Sequence, residues 1–283
     1  MPTASVAQPA LTGQVTVDGA TLFFELTGPD DGGTCPIVLL HAGIADARMW
    51  DPQVETFAER FRVVRYDLRG FGRSDPAVGR YSTRADLVAL LDALGIARAH
   101  LVGLSMGGAL AIDVALEHPD RVASVVACAA RPSGQEPSRE LVWGWTEVDV
   151  ALGAGDLDLA VELELRMWVD GPLRRPVEVD PGLRERVREM NAALLAGPDD
   201  GEPEPLDPPA LTRLHQIAAP TLVVAGDRDQ PDIIAGAHLL SAGIPNAIRQ
   251  TIPGTAHMIS MERPDAFNRV VLDFLSRVDP PAG

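Results

Sequence analysis

Along this chain the apolar positions change period several times, and each change marks an element. Gln14 to Asp18 and Thr21 to Thr27 flank Asp18-Gly19, a pattern that predicts a hairpin. Pro36-Ile37-Val38-Leu39-Leu40 and Arg62-Val63-Val64-Arg65-Tyr66 are short and rich in β-branched residues, as strands of a buried sheet are. Arg84 to Leu94 carries Leu87, Val88, Leu90, Leu91 and Leu94 at helical spacing and stops at Gly95. A strand at Ala99 to Val102, a helix at Gly108 to Leu116 and a strand at Val122 to Ala127 follow. The alternation resumes at Thr221 to Ala225, with a helix near Ile233 to Leu240, a strand near Ala247 to Ile252 and a last helix from Pro264 to Arg277. Strand-helix alternation of this kind implies an α/β fold built on a mostly parallel, doubly wound sheet.

Residues 131–209 break the pattern. They show helical segments at Arg139 to Leu152, Leu157 to Trp168 and Leu183 to Leu195, but no clear strand. The acidic, proline-rich run from Gly197 to Pro205 reads as a loop that does not pack. The expected organisation is a core domain formed by 1–130 and 210–283, with a helical cap inserted over 131–209.

In a doubly wound sheet, reactive groups collect beyond the carboxyl ends of the strands. Four such ends carry chemistry here: His41-Ala42-Gly43-Ile44, Gly103-Leu104-Ser105-Met106-Gly107, Gly226-Asp227-Arg228-Asp229, and Pro253-Gly254-Thr255-Ala256-His257. A strand turning into a helix through G-x-S-x-G predicts a strained elbow that lifts the serine hydroxyl above the sheet. Glycines flank it because side chains there would collide with the neighbouring strand and helix. Ser105 becomes an effective nucleophile only with a base to take its proton, and His257 is the candidate. Met106 N–H, at the start of the following helix, is a candidate donor to the oxyanion.

The order Ser, Asp, His along the chain resembles the α/β-hydrolase superfamily, over nearly the whole length. Within it, Met49-Trp50-Asp51-Pro52-Gln53, Tyr66 to Ser74, Gly103 to Gly108 and His257 to Pro264 resemble the 3-oxoadipate enol-lactonases and related esterases and cofactor-free haloperoxidases. The resemblance implies an α/β-hydrolase fold. It implies a triad of Ser105, His257 and Asp229, the acid standing last in a Gly-x-x-Asp turn, with Asp227 as a turn former. It also implies Gly43 as the second oxyanion donor. The function expected is serine-dependent hydrolysis of a small carboxylic ester or lactone through an acyl-enzyme. Carbon–carbon bond hydrolysis or acyl transfer on the same triad, and a ligand-binding receptor of this fold, are the alternatives. His41 reads chiefly as a residue that orients its loop; with Ile44, Trp143, Trp168 and Met258 it is also placed along the substrate pocket. Arg166, Arg174 and Arg175 either clamp a substrate carboxylate or solvate an acidic surface. Ser74 reads as a turn residue, and Asp86 and Asp92 as solvated.

Composition narrows the classes. At 283 residues and 46% hydrophobic, the chain can bury a large core. Its formal charge of −16 opposes a general field for nucleic acid or anionic membranes. All 24 basic residues are arginine, which removes Schiff-base, pyridoxal-phosphate and lysine-bearing P-loop chemistries. Cys35 and Cys128 stand alone in sequence and read as space fillers, and the histidines show no ligand spacing, so neither a metal nor another cofactor is expected. Met1 to Ala10 lacks the pattern of a secretion signal, and a cytoplasmic location is expected. The partner expected is a small-molecule substrate, with no nucleic acid or membrane. A homo-oligomer is left open.

Overall fold

A computed structural model of the chain describes residues 11–30, 33–198 and 200–280. The N-terminal residues read above for a secretion signal lie outside these. Strands β1 (Leu11–Val17) and β2 (Ala20–Thr27) form the expected hairpin, with Val17 paired to Ala20 across Asp18-Gly19. Both turn residues have positive φ, the two-residue geometry that matches strand twist. The chain continues through β3 (Ile37–Leu40), α1 (Asp51–Ala58), β4 (Val63–Tyr66), β5 (Val78–Tyr81), α2 (Thr83–Ala93), β6 (Ala99–Leu104), α3 (Met106–Glu117) and β7 (Val122–Cys128). After α4 (Arg139–Gly153), α5 (Leu157–Leu165), α6 (Pro181–Leu195) and β8 (Asp200–Pro203), it returns through β9 (Thr221–Gly226), α7 (Pro231–Gly243), β10 (Ile248–Ile252), α8 (Ile259–Glu262) and α9 (Pro264–Val278).

Eight strands lie in the order β1-β2-β4-β3-β6-β7-β9-β10. Antiparallel pairing is confined to β1–β2 and β2–β4, and every other neighbouring pair is parallel. The central strands β3, β6 and β9 are buried at every position, which is why their sequences are apolar without alternation. Alternate side chains feed two cores. Val38, Leu40, Leu101, Val125 and Val223 pack with Leu87, Leu90, Ile112, Val114 and Leu240 from α2, α3 and α7. Ile37, Leu39, Val102, Val126 and Val224 face Trp50, Phe57, Phe267, Val271 and Phe274 at α1 and α9. Leu141, Val161, Leu165, Trp168, Leu183, Val187 and Met190, all from the segment between β7 and β9, join this second cluster.

Three expectations need correction. The acidic run after α6 holds a strand where a loop was expected: β8, exposed except at Gly201, pairs in parallel with β5, Gly201 opposite Gly79. A Cβ at Gly201 would run into Ala77, and Arg84 donates to the Glu204 carbonyl at 2.9 Å. Main-chain pairing and an arginine anchor hold this strand without an apolar side-chain pattern, so hydrophobic periodicity could not reveal it. The helix expected over Leu157 to Trp168 ends at Leu165 and continues as a π-turn over Arg166–Asp170.

Asp86 is buried rather than solvated. It takes a paired hydrogen bond from Arg69, Nε to Oδ2 at 2.9 Å and Nη2 to Oδ1 at 2.7 Å. Arg69 also donates to the Val17 carbonyl and sits over the Tyr81 ring, so hairpin, β5 and α2 meet at one guanidinium. Asp92 fits its expectation, 64% exposed beside Arg121. Removing one member of a buried pair leaves the other charge uncompensated. Asp86→Ala is therefore expected to lower stability by about 3 kcal/mol in urea unfolding at neutral pH. A loss below about 0.5 kcal/mol would show that Arg69 is solvated after all.

Candidate active site

Three chain segments bring Ser105, Asp229 and His257 to the carboxyl edge of the sheet, beyond β6, β9 and β10 respectively. Ser105 lies at φ 56° and ψ −115°, a strained conformation for a residue with a side chain. Its surroundings explain the strain. A Cβ at Gly103 would strike the Gly107 carbonyl, and one at Gly107 would strike the Leu40 carbonyl. At Gly108 it would sit 2.8 Å from the Ala130 methyl. Helix α3 thus begins in backbone contact with β3 and β6, and the chain can make that approach only through the expected sharp turn. Ser105 N–H donates to the Cys128 carbonyl at 2.8 Å and Ala109 N–H to the Ser105 carbonyl at 2.9 Å, fixing the elbow on both sides.

His257 is 1% exposed and Asp229 2% exposed. The imidazole Nδ1 lies 2.9 Å from Asp229 Oδ2 and 3.2 Å from Oδ1, so the carboxylate fixes the Nδ1–H tautomer and leaves Nε2 with a lone pair. Asp229 also accepts the Gln230 N–H at 2.7 Å. Asp227 instead takes the Gly254 N–H at 2.6 Å and holds the loop that leads to His257. A Cβ at Gly226 would strike the Thr255 carbonyl, so the two loops touch through backbone as the elbow does.

Gly43 and Met106 come together at this edge, the ideal Cβ of position 43 falling 3.7 Å from Met106 Sδ. Asp67 organises the Gly43 loop from behind. Its buried carboxylate accepts Ala47 N–H at 2.8 Å and Arg73 N–H at 2.9 Å, while Gly72, at φ 53°, leaves no room for a Cβ against it. Ser74 is the turn residue expected, accepting Phe23 N–H at 2.9 Å and donating to the Asp67 carbonyl at 2.5 Å.

Of the five residues placed along the pocket, Trp168 touches the imidazole, with ring centroids 4.6 Å apart. His41 is held in the loop by hydrogen bonds at both ring nitrogens. It is fully buried, its Nε2 accepts Leu68 N–H at 3.0 Å, and Nδ1 lies 2.9 Å from the Ala42 carbonyl. Burial pushes its pKa down, and the neutral ring ties the β3 loop to the β4 loop. Met258 is fully buried and Ile44 nearly so, both in the second core. Trp143 is 68% exposed, on the side of α4 opposite Leu141 and Val148, and helical geometry turns it to solvent. The three arginines considered for a substrate carboxylate pair with carboxylates of this chain: Arg174, half-buried, with Glu262, and the exposed Arg166 and Arg175 with Glu162 and Glu178.

Glu164 was not singled out from the sequence. Its carboxyl lies within electrostatic reach of Trp168 and His257, and its Oε2 is buried without a hydrogen-bond partner. Burial pushes its pKa up to about 7, Trp168 and His257 offsetting part of the rise and Asp149 adding to it. The i,i+4 spacing of Glu164 and Trp168 was the available signal. Glu262 also escaped notice: it accepts Ala256 N–H at 3.1 Å and pairs with Arg174. A cavity of about 410 Å³ lies beside this region, between the Ala45–Arg48 loop, Phe71 and Met190, and none of Ser105, Asp229 and His257 lines it.

Comparison with known proteins agrees with this architecture. Residues 36–264 match the family described as alpha/beta hydrolase fold. The protein named "Putative carbamate hydrolase RutD" from Caulobacter sp. (strain K31) is 31% identical, over 92% of this chain and 97% of that protein. Among solved structures, the enol-lactonase from Burkholderia xenovorans LB400 is 28% identical with a TM-score of 0.77, covering 93% of this chain and all of that one. Est816, described as an N-acyl homoserine lactone degrading enzyme, is 29% identical with a TM-score of 0.73, over 93% of this chain and all of its own. The backbone-on-backbone elbow, the ordered strand ends and these likenesses lead to one statement: the chain belongs to the alpha/beta hydrolase fold family and is a hydrolase.

Proposed function

We propose that this protein hydrolyses a small carboxylic ester or lactone through an acyl-enzyme on Ser105. The observation that carries the reading is the His257–Asp229 hydrogen bond at 2.9 Å, buried at the same sheet edge as a serine held at φ 56°. His257 Nε2 takes the Ser105 proton as Oγ attacks the acyl carbon. Asp229 keeps the tautomer and stabilises the imidazolium without itself being protonated. The tetrahedral oxyanion accepts N–H groups of Met106, at the start of α3, and Gly43. His257 then returns its proton to the leaving alkoxide. Water, deprotonated by the same imidazole, attacks the acyl-enzyme and releases the acid. The proposed Trp168 role is to wall off the imidazole from solvent. Residues 131–209 serve in this reading as a cap that shapes the acyl pocket. The similar enol-lactonase and the homoserine-lactone-degrading enzyme support a carbonyl substrate of this kind.

Intact-protein mass after brief exposure to a fluorophosphonate tests the nucleophile. One adduct is expected on the native chain, none on Ser105→Ala and slow labelling of His257→Ala. An unlabelled native protein would overturn the serine mechanism.

The choice of acid is tested by kcat/KM on an active ester. Asp229→Asn is expected to reduce it by about 10³–10⁴-fold, and Asp227→Asn by less than about tenfold. The reverse order would move the acid to Asp227.

Glu164 gives a pH dependence. Its ionisation above about pH 7 places a negative charge within electrostatic reach of His257, which favours the imidazolium formed in the transition state. The ratio of native to Glu164→Gln kcat/KM is therefore expected to rise by about two- to fivefold from pH 6 to pH 8. A constant ratio would mean that this charge does not reach the imidazole.

A further inference from the structure

The opposite end of the sheet holds a second cluster of reactive side chains, drawn from three places far apart in sequence. Cys35 precedes β3, His100 stands near the start of β6, and Asp279 follows the end of α9. Strand pairing brings the first two together: His100 N–H donates to the Pro36 carbonyl at 2.8 Å and Ile37 is in register with His100. Asp279 joins them through its carboxylate, whose Oδ2 accepts Cys35 N–H at 2.9 Å and lies 3.1 Å from His100 Nε2. Arg60 donates to the Asp279 backbone carbonyl and holds the end of α9 in place. Cys35 Sγ, an imidazole nitrogen of His100 and a carboxylate oxygen of Asp279 all lie within 4.8 Å of one another. Among the described residues, no other group of three or more His, Cys, Asp and Glu side chains meets that spacing.

We propose that Cys35, His100 and Asp279 bind a zinc-class divalent ion, with Sγ, Nε2 and one carboxylate oxygen as the protein ligands. A thiolate, an imidazole and a carboxylate are the donors a borderline-soft ion such as zinc accepts. Two anionic ligands balance a divalent charge. The surroundings supply the outer support that such sites use. His100 Nδ1 lies 2.8 Å from Ser124 Oγ, on the residue in register with it on β7, and both residues are buried. A hydroxyl can donate or accept. The ring therefore keeps that hydrogen bond when Nε2 exchanges its proton for a metal and Nδ1 becomes the N–H. The thiol proton leaves to solvent on binding, and no oxidant or reductant is needed.

An open cavity of about 440 Å³, lined by Thr34, Cys35, Arg62, Arg98 and Asp279, reaches the cluster from solvent and leaves room for a fourth ligand. Arg62 pairs with Asp30 at 3.1 Å, and Arg98 donates to the Val122 carbonyl at 3.2 Å. Their charge still opposes cations held by electrostatics alone. Selection for an ion that bonds to thiolate, over magnesium or calcium, follows from that opposition. The cluster sits about 15 Å from Ser105, the span of the intervening β6 residues, so metal binding here is independent of the hydrolytic reading.

The test uses tag-free, full-length protein stripped with chelator and titrated with Co²⁺, then Zn²⁺. One Co²⁺ per chain is expected, with thiolate-to-cobalt charge-transfer absorption that one equivalent of Zn²⁺ abolishes. Cys35→Ser should lose that absorption, and Ser124→Ala should weaken Zn²⁺ binding by about tenfold. A hundredfold excess of Zn²⁺ over Kd should raise the native Tm by roughly 4–6 °C, and millimolar Mg²⁺ should not. Cobalt bound without a thiolate band, a spectrum unchanged in Cys35→Ser, or no binding at all would overturn the proposal. The native spectrum alone decides the matter should a variant fail to fold.

Discussion

Everything at the reactive edge depends on one close approach, the contact of the first turn of α3 with the backbones of β3 and β6. Gly103 and Gly107 allow it, because a Cβ at either would run into a carbonyl. That contact forces Ser105 to φ 56°, a conformation costing of order 1–3 kcal/mol. Such strain persists only where surrounding structure over-determines it, and here the Cys128 and Ser105 carbonyls lock the turn from both sides. The same approach brings Met106 against Gly43. A similar solution recurs at the other loop pair, where Gly226 lets the strand carrying the aspartate touch the backbone before His257. Main chain positioned by main chain leaves little slack for the side chains it carries.

Charge is handled by a second constraint. With arginine as its sole strong cation, the chain builds planar, paired hydrogen bonds where an ammonium would make single ones. Arg69 with Asp86 and Arg184 with Asp170 are of this kind. Each ties one element to another close by along the chain, 17 and 14 residues away respectively. Glu162 gathers Arg166, Arg184 and Arg188, so the outer helices are bound to one another by their charges as well as by their apolar faces.

The parts legible in the sequence were those that follow from local periodicity or from a glycine-marked turn. The hairpin, the buried strands, α2, α9 and the elbow fall in that class, as does the Ser, Asp, His order along the strand ends. What escaped required long-range information. Strand β8 is held by its partner β5 and by Arg84, and nothing in Asp200-Gly201-Glu202-Pro203 announces it. Asp86 reads as an exposed helix residue until Arg69, from another loop, lies against it. Trp143 and Trp168 are equally apolar in sequence, and only the turn of each helix decides that one meets solvent and the other His257. Cys35 and Asp279 are 244 positions apart, a separation no spacing rule anticipates.

The segment between β7 and β9 interrupts the strand-helix rhythm, yet its packing is not that of an appendage. Leu165, Trp168, Val187 and Met190 belong to the same apolar cluster as Trp50, Phe57 and Phe267. Gln230 Nε2 donates to the Met167 carbonyl at 2.8 Å, and Gly171 rests against the Arg228 carbonyl. The boundary visible in the chain is therefore absent from the interior. Excising those helices would not leave a smaller hydrolase; it would leave one core open to water along that side and the imidazole without its neighbour.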